Sequence, residues 1–225
     1  MNTVNKASRI LGVAFLLQFV TSLFSGTLLR QAWFVSGKIG ESMLKIARKP
    51  WLMRTSIFTD MLTALGIIFL GAMLFITLRK QNEKMALVAL GFYILEAVLG
   101  VVGKSEAFSL LRISQEYVTA GQPAYLQTMA NLALESMDFV GTTLLMLAFC
   151  PGAVLFYYLL DKSRVVPRAL SLWGFITVVP MLIAILLSLF GVQVSELIAL
   201  PYIPFEGVIG VWILVKGIKQ QQPAT

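Results

Sequence analysis

The sequence predicts an all-α polytopic bundle with six membrane spans, and three observations carry that expectation. Hydrophobic residues make up 58% of the chain and charged residues 13%. Soluble domains average roughly 25% charged residues, so these charges are too few to cover a water-facing surface. Six apolar stretches are each long enough to cross a hydrocarbon core about 30 Å thick, which takes about 20 helical residues. None shows the short alternating segments of a membrane β-barrel, and a backbone with no water to bond must pair within its own helix.

The first span is expected at residues 10–29. Lys6 and Arg9 precede it in the manner of a signal peptide. A signal core runs only about 7–15 residues, and no small-x-small cleavage site follows, so the segment is read as a retained span. The loop after it carries Glu41, Lys45 and Lys49 at helical spacing with Arg48 beside them, and Met43, Leu44, Ile46 and Ala47 elsewhere on the helix. Pro50 ends that piece or starts the next. This pattern predicts a short interfacial helix lying on the bilayer, with Trp33 and Trp51 in the headgroup layer.

Spans follow at 56–78 and 85–103. The next connection is longer than a loop requires. From Ser105 to Ala120 nothing breaks a helix, and Gly121-Gln122-Pro123 then reads as a C-cap followed by a helix start. Spans 3 and 4 are therefore expected to continue as a protruding hairpin, reaching roughly 20 Å at ~1.5 Å per residue. The remaining spans are expected at 134–160, 169–190 and 197–215, and residues 1–225 are read as one membrane domain with a polar, disordered tail from Gln220.

Lys and Arg in the loops set the orientation. With the N-terminus inside, ten lie inside (Lys6, Arg9, Arg79, Lys80, Lys84, Lys162, Arg164, Arg168, Lys216, Lys219) and eight outside. The first loop alone opposes the assignment. The short basic loops at 79–84 and 161–168 support N-in and C-in, in a bacterial inner membrane if the family resemblance below holds.

The net charge of +7 does not point to nucleic acid. The bases sit between apolar runs, where they meet anionic lipid headgroups, and no nucleic-acid motif accompanies them. Cys150 is the single cysteine and histidine is absent. That excludes an internal disulfide, cysteine clusters, His triads, His–zinc sites and His-ligated haem. No cofactor or metal is expected, and Cys150 and most of the Met residues are read as packing groups.

Acids within spans carry the functional signal, because each is expensive near the bilayer centre. Glu96 is expected about 16 Å and Glu206 about 14 Å into their spans, and Asp60 and Asp138 about 6 Å below the outer edge. All four fall in the outer half and predict a polar, acidic pocket opening outward, with Gln18 the polar residue of span 1. The competing reading has these acids hydrogen-bond to neighbouring backbone or pair with Lys104, Arg112, Arg30 or Arg54. Pro201 and Pro204 remove backbone donors just before Glu206, as in the broken spans of transporters. Pro151-Gly152 and Pro180 read as simple kinks. Glu96 and Glu206 share a Glu-x-Val-x-Gly pattern, a faint repeat that lays span 2 over span 5 but does not align spans 1 and 4. Tyr157, Tyr158 and Trp212 fit an inner aromatic belt.

Three segments carry a resemblance: Phe92 to Gly100, the stretch Ser163-Arg-Val-Val-Pro-Arg-Ala-Leu-Ser-Leu-Trp-Gly174, and Pro201 to Gly217 with Glu206, Trp212 and Lys216. The chain resembles the bacterial membrane family known as domain of unknown function 4386, from the first span to Gly217. The family pattern often has Arg where this chain has Tyr93, so an Arg–Glu pairing around Glu96 is not carried over. The resemblance implies a bacterial inner-membrane protein of several spans and no activity.

Three function classes stand at this point. The chain binds or carries a small molecule, lipid or cation, with Glu96 and Glu206 in the site and Asp60 and Asp138 at its mouth. Alternatively it is a scaffold whose acids are paired internally. An enzyme working by paired carboxylates is the third, although no nucleophile, metal cluster or oxyanion hole supports it. Ligand and oligomeric state are open.

Overall fold

The computed structural model describes residues 3–218; the tail expected to be disordered, with Lys219, lies outside them. Helix is the only regular structure among the described residues. Helix α1 (Thr3–Leu23) runs into a π-helical turn (Phe24–Leu29) and α2 (Arg30–Trp33). Then come α3 (Ile39–Arg48), α4 (Pro50–Leu78), α5 (Glu83–Val102), α6 (Lys104–Thr119) and α7 (Ala124–Asp138). A second π-helical turn (Phe139–Leu144) leads into α8 (Leu145–Ser163), followed by α9 (Arg168–Leu189), a 3₁₀ turn (Glu196–Ala199) and α10 (Ile203–Lys216).

Local chemistry explains the boundaries. Pro50 occupies the first turn of α4, where its missing N–H is no loss. The Asn82 side chain accepts the Met85 N–H at 3.0 Å and caps α5. The turn after α6 is a Schellman motif: the Gln122 N–H reaches the Tyr117 carbonyl at 2.8 Å and the Gly121 N–H reaches that of Val118 at 3.5 Å. Gly121 stands there at φ +78°, which glycine adopts without strain. Arg164 ends α8 in the left-handed conformation, and Pro167 holds the chain extended before α9.

Six helical stretches are long and apolar enough to cross a membrane, so the all-α bundle of six spans stands. An even number of spans puts Thr3 and Ile218 on one side, here called the terminal side. The hairpin of α6 and α7 marks the opposite side. Around the bundle the order is α10, α1, α4, α5, α8, α9. Lipid-like surroundings give no hydrophobic drive between spans, so small residues let the backbones approach. Gly12 does this for α1 and α10: a Cβ there would stand 2.6 Å from the Leu214 backbone nitrogen and 2.9 Å from the Gly210 carbonyl oxygen.

The apolar interior forms two cores. One runs between the spans, with Phe15, Leu70, Tyr93, Phe156, Tyr157 and Phe205 buried in it. The other lies on the hairpin side, where α2, α3 and the start of α4 pack on α6 and α7 around Trp33, Met43, Ile46, Leu110 and Leu126.

This second core corrects two expectations. Helix α3 forms where expected, with Glu41, Lys45, Arg48 and Lys49 exposed. Its apolar residues Met43 and Ile46 are fully buried against protein, however, so it braces the hairpin instead of laying that face on lipid. Trp33, expected in the headgroup layer, is 3% exposed within the same core, whereas Trp51 is exposed. The cause is shared. The hairpin offers α3 a protein surface that a lone loop helix would have lacked. Tyr157 also departs from the belt position: it is fully buried and hydrogen-bonded between spans. Cys150 is a buried free thiol, as its packing role requires.

A candidate ligand cavity between the spans

A cavity of about 580 Å³ lies in the hairpin-side half of the bundle, a volume within the range of small-molecule sites. All six spans contribute to its wall. From α1 comes Gln18, from α4 Asp60 and Thr63, from α5 Glu96, and from α10 Glu206, with Tyr202 just before that helix. Phe19, Ile67, Leu145, Met146, Phe149 and Met181 make the rest largely apolar.

Glu206 owes its place to a broken span. The chain turns as 3₁₀ over Glu196–Ala199, and α10 begins only at Ile203, with Pro204 in its first turn. The freed Pro201 carbonyl accepts the Trp173 indole N–H at 3.0 Å, which ties the break to α9. Glu206 therefore stands in the first turn of a helix, where unpaired N–H groups and the helix dipole favour a carboxylate. The Tyr202 hydroxyl donates to its Oε1 at 2.8 Å. Tyr157 and Tyr202 hydroxyls meet at 2.6 Å. Since Tyr202 gives its proton to Glu206, Tyr157 must donate to Tyr202, and the chain of phenols points at the carboxylate. The Gln18 amide lies against the same carboxylate.

Glu96 has different company. It is 4% exposed, and its Oε2 has no hydrogen-bond partner. The Gln18 Oε1 is likewise buried without a donor. Glu96 and Glu206 lie within Coulomb range of each other, and neither forms an ion pair among the described residues.

The shallower acids are paired. Lys104 Nζ stands 2.8 Å from Asp60 Oδ2, joining the end of span 3 to span 2 in the cavity wall. Arg30 holds Asp138 through two contacts, at 2.8 and 2.9 Å, joining the end of span 1 to the start of span 4. The Arg30 guanidinium also lies 5.0 Å from the Phe34 ring. Thus Asp60, Glu96 and Glu206 meet in one cavity. Asp138 stands beside it, one turn before the cavity residues Gly141 and Thr142. Of the bases weighed against these acids, Lys104 and Arg30 are engaged, and Arg54 and Arg112 are exposed.

Two wall segments were not singled out from the sequence: the π-helical turns at Phe24–Leu29 and Phe139–Leu144. Each sends a Gly-Thr pair, Gly26-Thr27 and Gly141-Thr142, to the cavity. A π turn loosens the backbone ladder and is frequent at functional sites. The signal was present as a Phe-x-Gly-Thr-x-Leu pattern occurring in both segments. It was invisible as structure because nothing in either run distinguishes a π turn from an α turn.

The sequence profile of the family described as Domain of unknown function (DUF4386) matches residues 10–217, and the chain belongs to that family. No curated relative and no solved structure matches the chain.

Proposed function

We propose that this member of the DUF4386 family binds and carries a small, positively charged molecule through the hairpin-side cavity, with both chain ends cytoplasmic and the hairpin outside. One observation carries the reading. Glu96 and Glu206 are both buried in the wall of one cavity, and the single base lining it, Lys104, is already engaged by Asp60. Buried carboxylates with no base need a cation or a proton to balance them. Glu96 and Glu206 are the ligand-binding pair; Asp60 and Asp138 hold the mouth. The basic loops on the terminal side would face the anionic headgroups of the inner leaflet of a bacterial cytoplasmic membrane.

A ligand panel tests this. The purified full-length protein in detergent is melted with organic monocations and with organic anions of matched size. Cations should raise the melting temperature of the wild type and fail to raise that of Glu96→Gln. Equal effects of cations and anions, or an undiminished cation effect in Glu96→Gln, would defeat the reading. The scaffold alternative draws its support from the two mouth pairs, which tie four spans together without any ligand.

A further inference from the structure

We infer that the cavity selects a protonated amine carrying at least two N–H donors, such as a primary ammonium on an apolar body, over a permanently quaternary cation. This rests on the reading of the cavity as a cation site and adds the chemistry of the head group.

Two oxygen acceptors, Gln18 Oε1 and Glu96 Oε2, are buried at 7% and 4% residue exposure with no donor. Both residues line the cavity. The orientation of the Gln18 amide follows from its neighbour: only its nitrogen can donate to the Glu206 carboxylate, so its oxygen is left over. Glu206, by contrast, already accepts from Tyr202. The unmet demand is thus for donors beside two carboxyls that no base balances. An ammonium brings donors and positive charge together.

A quaternary head supplies the charge and none of the donors. It would rely on open aromatic faces. Tyr202 packs on Phe149, Tyr157 and Phe205, and Phe149 on Tyr93, so those rings are engaged with one another and Phe19 alone of the wall's rings has no ring contact among the described residues, one face where a cage needs several. A hard divalent ion would need six or more oxygen ligands, and no cluster of three or more metal-ligating side chains occurs among the described residues. The apolar wall, from Phe19 and Ile67 to Met181, suits the carbon body of such an amine.

The probes are 2-phenylethylammonium and its N,N,N-trimethyl analogue, which share charge and ring. Each is titrated at pH 7 against the full-length protein in detergent, with binding read from the shift in melting temperature. The primary ammonium is the more strongly hydrated of the two, so nonspecific uptake into an apolar space would favour the trimethyl compound. The wild type should instead bind the primary amine at least tenfold more tightly. Gln18→Met should bring that ratio towards one, and Glu96→Gln should weaken both. A wild-type ratio near one, or in favour of the trimethyl compound, overturns the donor requirement and leaves the cation reading standing. A ratio unchanged in Gln18→Met overturns the role of Gln18. If neither compound binds, both readings fall. Should Gln18→Met fail to fold, the wild-type ratio decides alone.

Discussion

The acids proposed for the cavity mouth, Asp60 and Asp138, and the deeper pair Glu96 and Glu206, here called its floor, share one chemistry in opposite circumstances. At the mouth, Asp60 and Asp138 each have a base within 2.8 Å. On the floor, Glu96 and Glu206 have none among the described residues, and a tyrosine hydroxyl and an amide meet Glu206. Depth explains the contrast. Lys104 and Arg30 stand at the ends of spans, where a long side chain can lay its carbons along apolar surface and keep its charge near water. Among the described residues no base reaches the floor on those terms. Mouth acids are thus compensated within the fold, whereas floor acids are retained despite their cost. Acids kept inside a membrane bundle without a base are the pattern expected of a site that exchanges its partner.

The comparison can be broken at the mouth first. Asp60→Ala leaves Lys104, about a quarter exposed, facing the cavity without its partner. A loss of about 2–3 kcal/mol is expected, below the cost of breaking a fully buried pair, and thermal melting in detergent checks it. A wild-type melting curve for Asp60→Ala would mean that the mouth pair holds nothing.

A smaller loss is expected on the floor from Tyr202→Phe. It removes the tyrosine hydrogen bond to Glu206 and should cost about 1–2 kcal/mol, between the values for a neutral hydrogen bond and one to a charged group. If Tyr157→Phe alone costs as much, the phenols act as a unit and Glu206 is not where the stabilisation ends.

Asp138→Ala should cost about 1 kcal/mol, since about a third of each partner's side chain is exposed and such pairs contribute less. Exchanging the charges in Arg30→Asp with Asp138→Arg should restore most of the loss. Failure to restore it would show that the cation–ring contact of Arg30, and not the pair, is what matters.

The smallest stability effect is expected at Glu96→Gln: no loss, or a gain, because the substitution removes a buried carboxyl that no base balances. A drop of several kcal/mol across neutral pH would place Glu96 among the structural acids and erase the contrast between mouth and floor.

Much of this architecture is legible along the chain. Apolar length alone locates the six spans, and Gly121-Gln122-Pro123 announces the hairpin turn that the structure closes as a Schellman motif. Pro201 and Pro204 mark the break that puts Glu206 at a helix start. The depth of the acids along their spans foretells that they share one half of the bundle. Misread residues have a common feature: their partners are remote in sequence. Trp33 and Met43 look suited to lipid until α6 and α7 fold over them, and Tyr157 suits an aromatic belt until Tyr202 comes within 2.6 Å.

By itself, then, the sequence determined the medium, the number of spans, the hairpin and the half of the bundle that holds the acids. Each of these follows from local hydrophobicity, helical rise and breaker residues, which act within one segment. Only the tertiary structure decided which acids find a base. Asp60 and Lys104, and Arg30 and Asp138, meet because of the order of the spans and the rotation of each about its axis. Those are set by packing at sites such as Gly12, where one backbone lies against another. Linear spacing holds no record of that rotation, and so could not show that Glu96 would be left without a partner.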